Sequence, residues 1–323
     1  MKLINIEIGT YAKLTGYIHE PSNEMGNIQA YPGILILPGG GFRICSDREA
    51  EPVAAAYFAE GYQAFVLCYT TVMAKPDATI EDPMKDVQDA LAWIRNNASS
   101  LFLDENKLAM LGFSGGAHLA AASATHGPLR PDALILGYPG ILHSELRALE
   151  CADIIESVDE QTPPTFLFVS REDKVTPPIH ALTFTMELDR YGIDYELHIF
   201  KPGPHGMSLA KPLTCGGMKE YVNPVFAQWF GMNIDWLKAQ FGEFTIYGVN
   251  DGRFGRYSID TAIQELFACE ETRQIVLNAF PALGQADFQN PALSGATLRT
   301  VLGYLPEKEE TLIKQVDEAL LRV

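Results

Sequence analysis

The stretch MKLINIEIGTYAKLTGYIHEP at the start of the chain alternates apolar and polar side chains. A period of two sends successive side chains to opposite faces of a strand, so this stretch predicts the two strands of a hairpin. From residue 33 the pattern changes. Apolar runs at 33–37, 63–69, 107–112, 132–137 and 164–169 are continuous rather than alternating, which suits strands buried on both faces, and 195–200, YELHIF, is a further strand. Stretches of helical character separate them, at about 48–60, 83–97, 115–125, 178–190 and 223–240. Such an order predicts an α/β fold, a mostly parallel sheet with helices on both faces. Trp93 and Trp236 lie on apolar helix faces and are assigned to the core, whereas segment 141–163 has no clear period.

Composition shifts after Gly242. Residues 247–255, YGVNDGRFG, have the glycine and turn density of a connector. Beyond them the apolar spacing predicts short amphipathic helices at about 261–269, 272–279, 295–303 and 307–322. Asp260 is the expected N-cap of the first, and Pro306 stands at a first-turn position of the last. The expected organisation is a catalytic domain over 1–243, a linker over 244–257 and a small all-α domain over 258–323. None of the small domain's residues suggests chemistry. It reads as a packing or homo-oligomerisation unit, with recognition of a ligand or partner as the alternative.

A chain of 323 residues that is 47% hydrophobic has ample material for a core. The formal net charge of −17, with no Lys/Arg cluster, argues against nucleic acid and anionic membranes as partners. No apolar stretch resembles a signal peptide or is long enough to span a bilayer, so the expected location is cytoplasmic. The five cysteines (45, 68, 151, 215 and 269) are scattered and lack a C-x-x-C spacing, which suits reduced thiols. No zinc-protease, Walker or EF-hand motif is present, so no cofactor or metal is expected.

The candidate chemistry sits at the ends of the apolar runs. Strand 107–112 opens into Gly112-Phe113-Ser114-Gly115-Gly116, followed by an alanine-rich helical stretch. Strand, sharp turn and helix are the context a G-x-S-x-G nucleophile elbow needs. Side chains at 112 and 116 would collide with the neighbouring strand and helix. The N–H of Gly115 would face a developing oxyanion. Strand 33–37 opens into Pro38-Gly39-Gly40-Gly41-Phe42, where consecutive glycines let backbone N–H groups approach a substrate carbonyl. Gly40 and Gly41 are the candidate donors to join Gly115. A dinucleotide-binding turn is the alternative for this loop, but GGGFRI does not fit G-x-G-x-x-G; a plain turn is another. Strand 164–169 runs into Ser170-Arg171-Glu172-Asp173-Lys174-Val175-Thr176-Pro177, and strand 195–200 into Pro202-Gly203-Pro204-His205-Gly206. An acid and a histidine thus follow strand ends in the order Ser…Asp…His, the α/β-hydrolase order. Asp173 is preferred to its neighbour Glu172 on the D-x-V-x-P spacing. His118 is expected to pack near the elbow and His198 within a strand, while His19, His126, His143 and His180 default to surface or capping roles.

In the stretches ILPGGGF, MLGFSGGAHLAA, SREDKVTPP and GPHGMSLA the chain resembles α/β-hydrolase esterases related to acetyl xylan esterases and the hormone-sensitive-lipase-like group. The stretches NPVFAQW and DWL look like the closing helix of bacterial acetylesterases of that kind, so the resemblance runs over roughly residues 1–240. In that group segment 141–163 falls where lid or helix elements are often inserted. The sequence departs from it in having Pro38 where many relatives carry His, and Tyr69-Thr70 where many carry Tyr-Arg. The resemblance implies a small ester as substrate, with acetylated sugar or xylo-oligosaccharide as its natural form. The residues themselves imply ester hydrolysis through an acyl-enzyme, with Ser114 as nucleophile, His205 as general base and Asp173 orienting the histidine. Two alternatives stand beside this reading: a serine peptidase on the same fold, and a non-catalytic binding or scaffold protein.

Overall fold

The computed structural model describes residues 1–22, 24–25, 27–143, 148–152, 154–201, 203–244, 257–285, 295–303 and 310–320. The chain divides into two compact units. One comprises Met1–Glu20 and Ala30–Glu243, the other Pro21–Gln29 and Phe244–Val323. The second unit therefore includes a short segment from the loop after the N-terminal hairpin as well as the C-terminal region.

In the larger unit, β1 (Lys2–Ile8) and β2 (Ala12–Ile18) form the expected hairpin, in register from Lys2 opposite Ile18 to Ile8 opposite Ala12. The remaining strands are β3 (Tyr31–Leu37), β4 (Gln63–Cys68), β5 (Leu103–Phe113), β6 (Ala133–Gly137), β7 (Thr165–Ser170) and β8 (Tyr195–Phe200). The eight form one sheet in the order β1-β2-β4-β3-β5-β6-β7-β8. Pairings β1–β2 and β2–β4 are antiparallel and the others parallel. Edge strand β1 keeps its alternation of exposed and half-buried residues, whereas all of β6 and β7 is buried. The two sequence patterns, alternating and continuous, thus correspond to the two environments.

Helices α1 (Glu51–Ala59), α2 (Glu81–Asn96), α3 (Gly115–His126), α4 (Ile179–Arg190) and α5 (Gln228–Phe241) complete this unit. After β3 the chain leaves through α1 to β4 on one side of β3; after β5 it leaves through α3 to β6 on the other side of β5. The connections therefore diverge at the carboxyl ends of β3 and β5, and such a switch point opens a crevice. Pro38–Gly41 and Ser114 stand there. Beneath lies an aromatic core in which Phe168 stacks on Trp229 at 4.0 Å and Phe113 packs edge-on against both. Trp236 is buried and Trp93 half-buried.

Several boundaries differ from the sequence expectation. Helix α5 begins at Gln228, not 223, because Pro224 disfavours helical geometry at Asn223. The Asn223 side chain instead accepts the N–H groups of Val225 and Phe226 at 3.1 Å each, holding a turn. Strand β5 starts earlier, at Leu103, where it pairs with Tyr31. Segment 141–163 forms no long helix among its described residues. It carries a 3₁₀ turn, Ile155–Ser157, and buries Ile141, Leu149, Cys151, Ile154 and Val158; residues 144–147 and 153 lie outside the described residues.

The smaller unit contains α6 (Ile263–Ala268), α7 (Glu270–Ala279), α8 (Leu298–Leu302) and α9 (Glu310–Leu320), with Ile263, Leu266, Val276, Leu298 and Leu320 in its own core. Asp260 does not cap α6, whose N-cap is Ala262. Its carboxylate instead meets the Arg299 guanidinium at 2.6 and 3.0 Å. A cation within reach outweighs the orphan N–H groups of a short helix. Among the described residues of this unit, Thr297 is a side-chain cap, accepting the Thr300 N–H at 3.1 Å. Pro306 and most of the expected linker lie outside the described residues.

Candidate active site

Ser114 occupies the turn between β5 and α3 with φ 53° and ψ −115°, a conformation an L-residue rarely adopts. Two glycines make the turn possible. A Cβ on Gly112 would lie 2.3 Å from the Gly116 carbonyl oxygen, and one on Gly116 would lie 2.2 Å from that of Leu37. The Ser114 N–H is anchored on the Gly137 carbonyl at 3.0 Å, and its own carbonyl accepts the N–H groups of Ala117 and His118. What remains free to point outward is the hydroxyl.

That hydroxyl lies 2.8 Å from His205 Nε2. On the other side of the ring, His205 Nδ1 is 2.7 Å from Asp173 Oδ2. The Asp173 carboxylate is wholly shielded from solvent, and the backbone compensates for its burial. Its Oδ1 accepts the N–H groups of Val175 and Thr176 at 2.8 and 2.9 Å. The Thr176 hydroxyl donates to the Tyr138 carbonyl at 2.9 Å, with Oδ2 a more distant acceptor for the same proton at 3.2 Å. Glu172 is exposed and, among the described residues, accepts only a long bond from Gly203 N–H, at 3.3 Å. Three side chains from three strand ends therefore meet, with Asp173 rather than Glu172 on the histidine.

The glycine loop faces the same hydroxyl. The Gly39 N–H is occupied by Glu49 Oε2 at 2.8 Å. By contrast, the N–H groups of Gly40, Gly41 and Gly115 have no hydrogen-bond partner among the described residues. Gly40 has φ 131°, and a Cβ there would lie 2.1 Å from the Ile44 carbonyl oxygen. A Cβ on Gly115 would lie 3.3 Å from the Gly41 nitrogen, so the backbones at 41 and 115 approach closely. Tyr69, at the departure from the Tyr-Arg pattern, is buried and donates its hydroxyl to the Pro38 carbonyl at 2.7 Å, fixing the start of the loop. A groove of about 1040 Å³ runs along the Asp173 and His205 loops, with Arg171, Lys174, Glu220 and Tyr221 in its walls.

Sequence reasoning missed several supporting side chains. Glu49 is buried, 3% exposed, and bonds Gly39 N–H and the Tyr138 hydroxyl. Burial pushes its carboxyl above the usual range, while the bonds from Tyr138 and Gly39 and the nearby His205 and Arg48 pull it back. In the charged run SDREAEP it reads as a solvated helix start, and nothing in that pattern marks it. Thr176 carried a signal, since it stands inside the D-x-V-x-P spacing. His180 was misassigned to the surface or a cap. It is buried, and its Nδ1 accepts the N–H groups of Ile141 and Leu142 at 3.1 and 3.0 Å. His118 is buried beside the elbow with Nδ1 at 2.8 Å from the Gly140 carbonyl. Among the described residues no His, Cys, Asp and Glu cluster is placed to hold a metal ion, and no helix is long and apolar enough to cross a membrane.

A mostly parallel sheet with a serine on a strained strand-to-helix turn, and an acid and a histidine after later strands, defines the α/β-hydrolase class. Comparison with known proteins narrows it. Residues 18–130 match the BD-FAE family. An endo-1,4-beta-xylanase B of Butyrivibrio fibrisolvens is 32% identical over 206 residues, covering 55% of this chain and 32% of that protein. An acetylxylan esterase of Xylanibacter ruminicola is 25% identical over 210 residues, covering 58% of this chain and 42% of that protein. The chain thus spans about a third to two-fifths of the length of these curated relatives. Among solved structures, MGS-M1, an α/β hydrolase from a Medee basin deep-sea metagenome library, is 39% identical with a TM-score of 0.70, over 74% of this chain and 98% of that one. The chain belongs to the α/β-hydrolase family.

Proposed function

We propose that the protein is a serine esterase that removes small acyl groups, acetyl foremost, from acetylated sugars or xylo-oligosaccharides. The observation that carries this reading is the unbroken hydrogen-bond chain from the Ser114 hydroxyl through His205 to Asp173, beside three N–H groups without partners among the described residues. His205 Nε2 takes the Ser114 proton as the hydroxyl oxygen attacks the ester carbonyl. The N–H groups of Gly40, Gly41 and Gly115 receive the negative charge that develops on the carbonyl oxygen. The tetrahedral species collapses, the imidazolium returns its proton to the departing alkoxide, and an acyl-Ser114 ester remains. Water, deprotonated by the same histidine, releases the carboxylic acid. Asp173, held by its backbone donors, keeps Nδ1 protonated and stabilises the imidazolium.

The choice of acyl group and alcohol rests on the acetylxylan esterase relative and on the sequence resemblance. The groove beside His205 carries Arg171, Lys174 and Glu220 in its walls, side chains that can hydrogen-bond a hydroxyl-rich leaving group. The test is a set of initial rates on acetyl, butyryl and octanoyl esters, acetylated xylo-oligosaccharides and peptide amides, for wild type and Ser114→Ala. The expected result is fastest turnover of acetyl esters and their sugar forms. Ser114→Ala should lose at least about three orders of magnitude in kcat with the fold intact. A folded Ser114→Ala protein that keeps more than about a tenth of the rate removes Ser114 from the mechanism, and a preference for amides overturns the esterase reading.

A further inference from the structure

Glu49 is the one buried carboxylate near the site, among the described residues, that the proposed reaction leaves without a task. It follows the glycine loop, in the 3₁₀ turn Asp47–Glu49, and takes part in no ion pair among the described residues. A buried carboxylate is costly unless both oxygens are satisfied, and here both are used by groups that matter to the site. Oε2 accepts the Gly39 N–H at 2.8 Å, and Oε1 accepts the Tyr138 hydroxyl at 2.5 Å. The carboxylate fits so closely that a Cβ on Gly39 would sit 2.7 Å from Oε2 and 3.0 Å from the Ser114 Cβ. Tyr138 follows β6, and its ring meets the His205 ring edge-on with centroids 5.1 Å apart. The Tyr138 oxygen accepts the Ser208 N–H at 3.0 Å, and the Ser208 hydroxyl returns to the Arg48 carbonyl at 2.6 Å. One side chain therefore ties together the glycine loop, the end of β6 and the histidine loop.

The donor pattern fixes the form this needs. Tyr138 already accepts from Ser208, so its proton goes to Glu49, and Gly39 also donates. Two donors on two oxygens suit an ionised carboxylate; in a carboxamide or a protonated acid one of these positions becomes a donor, so the Tyr138 bond has to reverse and the tyrosine proton loses its acceptor. We infer that Glu49 is a positioning residue that aims the Gly40 and Gly41 N–H groups at the reaction oxyanion and holds Tyr138 against His205. This rests on the esterase reading given above. Its negative charge also lies toward the imidazolium that forms during attack. The titratable and charged groups facing it are Tyr138, Tyr69, His205 and Arg48.

The test compares Glu49→Gln and Tyr138→Phe with wild type on an acetyl ester, reading kcat, KM, melting temperature and inhibition by a small alkyl boronic acid, whose tetrahedral Ser114 adduct mimics the oxyanion. Because the carboxylate acts on donors used in the transition state, kcat should fall about ten- to a hundred-fold with KM within about two-fold. Boronate affinity should weaken in parallel, and the acid limb of the kcat profile in wild type should lose one ionisation in Glu49→Gln. Tyr138→Phe keeps the ring, so it answers even if Glu49→Gln does not fold. It leaves Glu49 Oε1 and the Ser208 N–H unpaired, which lowers the melting temperature by several degrees, and kcat should fall in protein that is still folded at the assay temperature. Normal kcat in either folded variant, or a loss confined to melting temperature or KM, overturns the inference. If Ser114→Ala is as active as wild type, it is the esterase reading that fails instead.

Discussion

At the scale of single residues, two neighbouring acids with the same charge have different surroundings. Asp173 collects two backbone N–H groups, a threonine hydroxyl and the histidine, while Glu172 faces solvent. Asp173→Asn should therefore lower kcat by roughly 10⁴, by favouring the wrong imidazole tautomer, while Glu172→Gln should stay within about two-fold, as exposed substitutions usually do. Steady-state kinetics on both variants decides it; equal losses would place the acid wrongly. Among the cysteines, Cys68 is exposed and its thiol is lowered to about 7, chiefly because the Cys45 thiol hydrogen-bonds to it; burial and Asp47 oppose this. Cys45 shifts upward for the complementary reason. Alkylation with iodoacetamide at pH 7 should label Cys68 before Cys151, which is buried; peptide mapping that finds Cys151 first contradicts this. Ser114, Asp173 and His205 were legible in the sequence because each follows a strand end at a spacing its chemistry requires. Glu49 was not, since burial and partners decide its role and neither is written in SDREAEP.

Among the secondary-structure elements, alternation marked β1 and β2 and continuous apolar runs marked the central strands buried on both faces, whereas β8, YELHIF, is partly exposed and alternates. Ends were less legible. The α5 start was set by Pro224 and the Asn223 turn, and the β5 start by pairing with Tyr31, a partner distant in sequence. His19 illustrates what pattern alone misses. Just beyond β2, it stacks on Phe58 at 3.7 Å and on Tyr31 at 4.8 Å, and its Nε2 bonds the Phe58 carbonyl at 2.8 Å. It joins β2, β3 and α1. Burial holds its pKa below 6.5, outweighing the bond to the Phe58 carbonyl. The unfolded chain then binds the proton more readily than the folded one, so stability is complete above pH 6.5 and declines as pH falls through the lowered folded value. His126, also lowered chiefly by burial, acts in the same direction. Melting temperatures at pH 7.5 and 5.5 should differ less in His19→Gln, which keeps a donor for the Phe58 carbonyl, than in wild type. An unchanged difference would show that His19 does not carry this dependence.

For the whole molecule, the apolar residues sort into two separate cores. The larger runs from Ile8 to Phe241 and the smaller from Tyr257 to Leu320, with no residue in common. A unit with its own closed core can fold alone. Residues 1–243 make up about three quarters of the chain, close to the 74% of it that covers 98% of the solved MGS-M1 hydrolase. Ser114, His205, Asp173, Glu49 and the glycine loop all belong to this unit. A chain ending at residue 243 should therefore fold cooperatively and hydrolyse an activated acetate ester with kcat and KM within a few-fold of the full chain. The segment 21–29 groups with the C-terminal region and would be left behind by that cut, so a second variant with this segment shortened to a glycine-serine link isolates its effect. Circular dichroism melting and ester kinetics on both provide the readout. Aggregation of both variants, or a folded chain with kcat reduced a hundred-fold, would mean that the C-terminal unit supports the site and that two cores do not make two independent domains.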